Sequence, residues 1–390
     1  MKVIQISTNS HAINPDKTKF NLEMIKDWPV DVAMQLKKEY PKLDVECWGS
    51  EKQYKKDYTK EIKGIKFRIF PALFSVRNSM EISLNMLKAL KQEQKRLKGK
   101  EKLIIHFHEP HAWQVYLILS FIDKNKNIKI ISQHHGGRSP ISNLKKNKKL
   151  FLLSPLFFLM QILEKKLFKK IDVFYALSDE EINYLKKVSP KSRVEFSTMG
   201  IEGDYFKKAD KNTSRKKLGL DLNKKYVLFI GRVSKNKGMG ELITAAQQLK
   251  DIQFLLIGKE CEKRYREIIE ENKINNVSLL GTKYGKEKSL YLSASDCLIL
   301  PSYTEGAPVV IMEAIAKNLP VISTNVGGVN KMIKDKREGI IIRPKSASDI
   351  VLAIKEIMQW KNKDITKYSN KYKWKNIIKK NFKDYVKNEI

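Results

Sequence analysis

Three histidines and a glutamate crowd the stretch HFHEPHAW: His106, His108, Glu109 and His111. Imidazoles and a carboxylate this close could ligate a metal, or could line a polar pocket for another ligand. The other three histidines (His11, His134 and His135) also fall in the first 135 residues. His134 and His135 close the apolar run IKIIS and precede Gly136 and Gly137. Imidazoles at a strand end either cap the strand or face a ligand.

The second half carries a different chemistry. In CLILPSYTEGAPVVIMEAIAKNLPVIST, a strand ending at Pro301 leads into a loop with Gly306 and Pro308, then into a helix from about Val309. Backbone N–H groups at a helix start are unpaired and can bind an anion or sugar hydroxyls. Glu305 sits in that loop and Glu313 one to two turns into the helix. Carboxylates accept paired hydrogen bonds from vicinal hydroxyls, as in a ribose or hexose. In LFIGRVSKNKG a strand ends at Gly231, and Arg232 and Lys237 occupy the next loop. A guanidinium fork and a point charge together could hold a diphosphate and stabilise the charge that grows as a bond to it breaks.

These groups must be positioned by repeating elements. Short β-branched runs alternate with amphipathic stretches throughout: KVIQIS, DVAMQLKKEY and LDVECW first, then YVLFIG, GELITAAQQL, FLLIG and YREIIEEN. The pattern predicts parallel sheets covered by helices on both faces. It restarts near Tyr226, which predicts two doubly wound α/β domains in tandem, joined by the polar stretch 207–225. In such sheets ligands sit beyond the carboxyl ends of strands, where all the groups above lie.

With 390 residues the chain is long enough for two cores. Its net charge of +33 is spread over both halves and predicts attraction to polyanions such as anionic lipid or nucleotide. No nucleic-acid module is recognisable. Cys47, Cys261 and Cys297 are odd in number and far apart, so a reducing compartment fits. The opening MKVIQIS reads as a strand without a signal-type leader, and no apolar run is long enough to span a bilayer. Residues 138–170 carry nine basic residues against one acid around an apolar middle. That segment could lie in an anionic membrane interface, or be a buried helix with solvated ends.

GRVSKNKG, VSLLGTKYGKEKSLYLSASDCLILPSYTEGAPVVIMEA, PVISTNVGGVNKMI and EGIIIRP occur in the order found in glycosyltransferase family 4, which the chain resembles over nearly all of 226–345. The first half resembles it more thinly, through the strand ending HFH, ISQHHGG, and YALSDEEINYLKK followed by MGIEGDYF. The resemblance implies a retaining hexosyltransferase of GT-B architecture: two tandem Rossmann-like domains facing an interdomain cleft. We read 1–205 as the acceptor-binding domain, 206–368 as the nucleotide-sugar-binding domain, and 369–390 as a basic amphipathic helix crossing back to the first.

The resemblance also implies roles. Glu305 opens an E-x7-E motif and faces the donor sugar, and Glu313 holds the ribose hydroxyls. Arg232 and Lys237 bind the donor diphosphate, amides at Gly306 and Ala307 approach sugar or phosphate, and Leu280, Gly281 and Thr282 flank the base. One of His134 and His135 contacts the transferred sugar. The following glycine favours His135, and the strand favours His134. The family's usual glycine loop after the first strand is missing from ISTNSHAINPDKTKF, where His11, Lys17 or Lys19 could compensate. Asn318 replaces a glycine before the Pro-Val strand, at a left-handed turn that asparagine tolerates.

No D-x-D occurs, so cationic side chains are expected to replace a metal, and no cofactor beyond the nucleotide-sugar (UDP or GDP) is expected. HFHEPHAW then reads as a strand end, with His106 packed in the sheet and His108 and Glu109 on the acceptor side. The expected partners are a nucleotide-sugar, a glycan or lipid-linked acceptor, and an anionic membrane surface through 138–170. The expected place is cytoplasmic or peripheral on the inner face of the cell membrane. A soluble acceptor, or a nucleotide-sugar-binding subunit without activity, is the alternative.

Overall fold

A computed structural model describes residues 1–7, 28–75, 81–97, 101–136, 154–360 and 364–387. His11, Lys17 and Lys19, and residues 138–153 of the basic segment, lie outside them. The chain divides into two compact units, Met1–Thr198 together with the chain from Ile378, and Met199–Ile377. The first boundary falls earlier than the expected 205/206. The reason is local: Ile201 N–H donates to Tyr372 O, and Tyr205 packs beside Glu313, so the segment after Thr198 belongs to the second unit.

In the first unit the strands β1 (Lys2–Ser7), β2 (Asp44–Glu51), β3 (Tyr58–Ile62) and β4 (Ile65–Pro71) are followed by a two-strand ribbon of β5 (Phe74–Ser75) and β6 (Glu81–Ile82). Then come β7 (Leu103–His108), β8 (Ile128–Gln133), β9 (Val173–Ala176) and β10 (Arg193–Phe196). The main sheet runs β10-β9-β8-β7-β1-β2-β4-β3 and is parallel except for the β3–β4 edge pair. β1 and β7 are wholly buried, as strands of a parallel sheet covered on both faces should be.

β1 lies between β2 and β7, so the chain changes direction of winding there. Such a reversal opens a crevice at the carboxyl ends of the two strands, and Ser7 pairs with His108 at that end. Strand alternation then sorts the side chains. Ile4, Ile6, Ile105, Phe107 and Ile130 join one apolar core under the helix Trp113–Phe121. Gln5, His106 and His108 take the other face.

In the second unit β11 (Lys225–Ile230), β12 (Ile252–Ile257), β13 (Val277–Leu279), β14 (Cys297–Leu300), β15 (Val321–Thr324) and β16 (Gly339–Ile342) form one parallel sheet in the order β13-β12-β11-β14-β15-β16. The winding reverses between β11 and β14, whose carboxyl ends carry the Arg232–Lys237 loop and the Glu305–Pro308 loop. Both doubly wound sheets were legible as alternation in the sequence.

Asn318 ends the helix Val309–Ala316 in a left-handed conformation, φ 61°. Its amide donates to Ile315 O, and its Oδ1 accepts from Ile365 N at 2.9 Å. Asn318→Gly removes that side-chain bond and should cost about 1 kcal/mol. Asn318→Val adds left-handed strain and should cost about 2–3 kcal/mol. Urea denaturation of both variants measures the gap, and equal stabilities would contradict this account of the turn.

Candidate active site

The loop after β11 is a short turn, Lys235–Lys237, that ends at Gly238 with φ 70°. A Cβ there would stand 2.1 Å from Pro301 O, so only glycine allows this loop to touch the end of β14. A second close approach braces the other loop. A Cβ on Gly327 would stand 2.2 Å from Glu305 O, and Gly328 N donates to Gly306 O at 2.7 Å. The two contacts, with Tyr303 N donating to Asn236 O at 2.9 Å, fix both loops against one another.

Between them Lys237 Nζ donates to Glu305 Oε1 at 2.5 Å. The side chains are 17% and 9% exposed, so the pair is largely removed from water. Arg232 is exposed and has no ion-pair partner among the described residues. Pro308 is the N-cap of the helix Val309–Ala316 and makes no side-chain cap bond. Among the described residues no backbone carbonyl takes up the amides of Gly306, Ala307 or Val309. One end of the sheet thus brings together two cations, a carboxylate and the backbone donors of a helix start, which is the equipment for holding an oxyanion next to a polar hydroxylated group.

Glu313 lies inside that helix and is 4% exposed. Burial pushes its carboxyl up, and Lys288, whose Nζ donates to Oε1 at 2.7 Å, pulls it back. The Tyr205 phenol lies beside it, pushed up by burial and then by Glu313, with Lys288 5.1 Å above its ring. Lys288 and Tyr205 were missed in the sequence, since neither stands in a motif with Glu313. Leu280, Gly281 and Thr282 follow β13, with Gly281 at φ 67° and its carbonyl accepting from Gly258 N at 2.8 Å. Leu280 is half-buried and Thr282 exposed. A cavity of about 830 Å³ in this unit is lined by Lys225, Asp296 and Pro320 at the amino ends of the strands. The helix-start donors lie at the carboxyl ends, where doubly wound sheets bind ligands.

In the first unit a hydrogen-bonded chain runs through the histidines. Gln5 Nε2 donates to Tyr385 Oη at 3.2 Å, and that hydroxyl contacts His106 Nδ1 at 2.8 Å. Gln5 Oε1 therefore accepts from His108 Nε2 at 2.8 Å, which leaves His108 Nδ1 to accept from His135 Nε2 at 2.8 Å. Burial lowers His106 to about 3 and holds His108 and His135 well below the usual imidazole range, so the rings are neutral. The chain fixes His135 with its proton on Nε2 and its Nδ1 as an acceptor. Its ring lies against Trp28, centroids 4.1 Å apart, and parallel to His108.

His108 is 3% exposed and both its ring nitrogens are engaged, so it stands behind His135. His106 is fully buried in the sheet, as expected. His134, one residue earlier, turns to the opposite face. There its Nδ1 meets Glu181, its Nε2 lies 3.7 Å from Glu109, and His111 is nearby. His111, His134 and Glu181 converge within 4.8 Å, although a converging metal-type cluster was not expected from HFHEPHAW. Glu181 had a visible signal of another kind: it is the fourth residue of the capping sequence Ser178-x-x-Glu181.

Residues 210–374 match the family described as glycosyl transferases group 1. The putative teichuronic acid biosynthesis glycosyltransferase TuaC of Bacillus subtilis is 33% identical over 166 residues, 42% of this chain and 38% of that one. The D-inositol 3-phosphate glycosyltransferase of Mycobacteroides abscessus is 24% identical over 204 residues, 50% of this chain and 46% of that one. The matches thus span about half or less of the curated relatives' length.

Sucrose-phosphate synthase of Thermosynechococcus elongatus aligns with a TM-score of 0.71 at 18% identity, covering 99% of this chain and 98% of that one. WaaG, a glycosyltransferase involved in lipopolysaccharide biosynthesis, aligns with a TM-score of 0.61 at 17% identity, covering 92% and 94%. At such identities the likeness shows the fold, and the fold is GT-B. The chain resembles glycosyltransferase family 4, and the resemblance is carried by its second unit.

The neutral histidines make stability sensitive to acid. Below about pH 6.5 the unfolded chain takes up protons that the folded His106 refuses down to about pH 3, so stability is lost as pH falls through that window. At pH 5 the loss is roughly 2 kcal/mol for one such ring. The stability lost between pH 7.5 and pH 5 should therefore be smaller by about 2 kcal/mol in His106→Phe. Urea midpoints at the two pH values measure this, and an unchanged loss would mean the folded ring accepts a proton.

Proposed function

We propose that the chain is a retaining glycosyltransferase that moves a sugar from a UDP- or GDP-sugar to an acceptor hydroxyl. The observation that carries the reading is the Lys237–Glu305 pair beside exposed Arg232, at the start of the helix that holds Glu313. An ammonium has three donors, so Lys237 can keep Glu305 and take a phosphate oxygen as well. Arg232 adds a planar fork for the same diphosphate. Glu305 then lies next to the sugar carbon bonded to that phosphate, and Glu313 is set for the ribose hydroxyls. HepE of Anabaena, solved in complex with UDP and glucose, aligns with a TM-score of 0.64 at 16% identity over 98% of this chain, which supports the donor class.

The reaction is a front-face displacement. The bond from sugar C1 to the phosphate oxygen breaks and its electron pair stays on the diphosphate. The acceptor oxygen bonds to C1 on the same face, and its proton passes to the departing phosphate. Lys237 and Arg232 stabilise the charge that accumulates on the leaving group, and Glu305 stabilises the cationic sugar. These cationic side chains do the work that a divalent ion does in other transferases, so transfer is metal-independent. His135, with Nδ1 held as an acceptor, is the histidine suited to a sugar or acceptor hydroxyl.

The names of TuaC and WaaG support an envelope glycan or lipid-linked acceptor. A feature of this chain supports it independently. The helix Ser154–Leu167 exposes Phe158 (62%), Leu159 (61%), Ile162 (50%) and Leu163 (40%) as one stripe beside Lys165 and Lys166. No helix of the described residues is long and apolar enough to cross a membrane, so the stripe is suited to lie in an anionic interface with its lysines at the head groups. The reading that follows is of a peripheral protein on the inner face of the cell membrane.

Glu305→Gln and Lys237→Ala should each lower kcat/KM for transfer by about 10²–10³-fold. Glu313→Gln should chiefly weaken donor binding, seen as a smaller thermal shift with the preferred UDP- or GDP-sugar. Wild-type transfer and donor hydrolysis in both Glu305→Gln and Lys237→Ala would overturn the site. Donor binding without turnover on any acceptor would indicate an inactive subunit. Sedimentation with anionic but not zwitterionic vesicles at low salt, lost in Phe158→Ser with Ile162→Ser, tests the membrane reading. Absence from anionic vesicles would favour an acceptor in solution.

A further inference from the structure

We propose that His111, His134 and Glu181 form a divalent transition-metal site of the zinc class, with a fourth position left for solvent. Their donor atoms lie within 4.8 Å of one another, and Glu109 Oε1, 3.7 Å from His134 Nε2, stands behind that ring on the side away from Glu181. Two imidazoles with one or two carboxylates suit zinc and its neighbours, and fit magnesium or calcium poorly. His134 and Glu181 now touch as an ion pair. Bound ion would part them to about 3.3 Å, the separation of two donors on one tetrahedral zinc.

Charge makes the same argument. Glu164 is fully buried, and the side chains of Glu109, Glu181, His111 and His134 are 14%, 8%, 5% and 11% exposed. Three carboxylates thus surround two imidazoles, a donor set that favours a bound cation.

The surroundings are those of a held ligand. His111 Nδ1 pairs with Glu164 Oε1 at 2.7 Å, which leaves Nε2 for a metal. Glu164 is itself fixed by the hydroxyls of Tyr116 and Tyr184. A carboxylate behind a ligating imidazole sets its tautomer and direction. The small exposure of Glu109 and His134 gives an ion a way in.

Such an ion would clamp three elements: the turn after β7, the end of β8 and the first turn of the helix Asp179–Val188. His135 follows His134 directly, so the clamp would set the strand end that presents His135. The inference does not rest on sugar transfer, and its test does not read it.

The test uses the full chain, purified without a metal-affinity tag and freed of metal with dipicolinate. Cobalt should bind with one equivalent and give the visible d–d bands of a four-coordinate site, and zinc should displace it. Zinc, but not magnesium, should raise the melting temperature. His111→Gln and Glu181→Gln should each weaken cobalt binding at least tenfold, while Cys261→Ser, at an exposed thiol, should not. Wild-type protein with no d–d bands and no zinc-dependent shift would overturn the proposal. So would cobalt binding of unchanged strength in both folded variants.

Discussion

Everything in the second unit is arranged around keeping a lysine and a glutamate in contact with little water. An ion pair this far from solvent loses hydration on both partners and recovers it only if its geometry is held. Lys237 and Glu305 come from loops after different strands, so the holding cannot be local. It comes from two glycines. Gly238 lets the first loop meet Pro301 O, and Gly327 lets a third loop back the carbonyl of Glu305. The order β12-β11-β14-β15 then matters, since it is where the winding reverses that two neighbouring loops part and leave a crevice. The pair, the exposed Arg232 and the amides at the helix start are therefore brought together by one topology.

The first unit separates its histidines by the pleat of a strand. His134 and His135 follow β8 directly, so they point to opposite faces. His135 enters a chain of neutral rings ending at Gln5 and Tyr385, where one tautomer is imposed on each ring in turn. His134 enters a cluster of carboxylates. Adjacent residues of one type thus sit in opposite electrostatic settings: burial and then neighbouring imidazoles lower the basicity of His135, while His134 faces carboxylates.

How much of this was legible in sequence follows from the range of each signal. Apolar runs alternating with amphipathic stretches are local, so both doubly wound sheets could be read directly. Glu305, Glu313, Arg232 and Lys237 stand in loops and helix starts that the sequence marks with glycine and proline, so their placement at strand ends was legible too. Lys288 and Tyr205, which meet Glu313, come from distant segments and leave no periodic trace. Tyr385 is 279 residues from the His106 it contacts, and Gln5 is 380 from Tyr385. The spacing in HFHEPHAW already divides its histidines: His106 and His108 alternate onto one sheet face, and His111 lies past the strand end. The convergence of His111 with His134 and Glu181 depends on strand order, which spacing does not encode.

The helix Ser154–Leu167 connects the two faces of the problem. A helix carrying Phe158, Leu159, Ile162 and Leu163 would be expected to roll and bury them, since each apolar side chain gains roughly 25 cal/mol per Å² removed from water. It does not, because Glu164 lies on the other side of the same helix with no exposure at all. That carboxylate is held by His111, Tyr116 and Tyr184. Rolling the helix would strip a buried charge of three hydrogen bonds, or leave three buried donors unsatisfied, which costs several kcal/mol. The one acid of a strongly basic segment thus sets the rotation of the helix. The apolar stripe faces outward because the polar anchor cannot be given up.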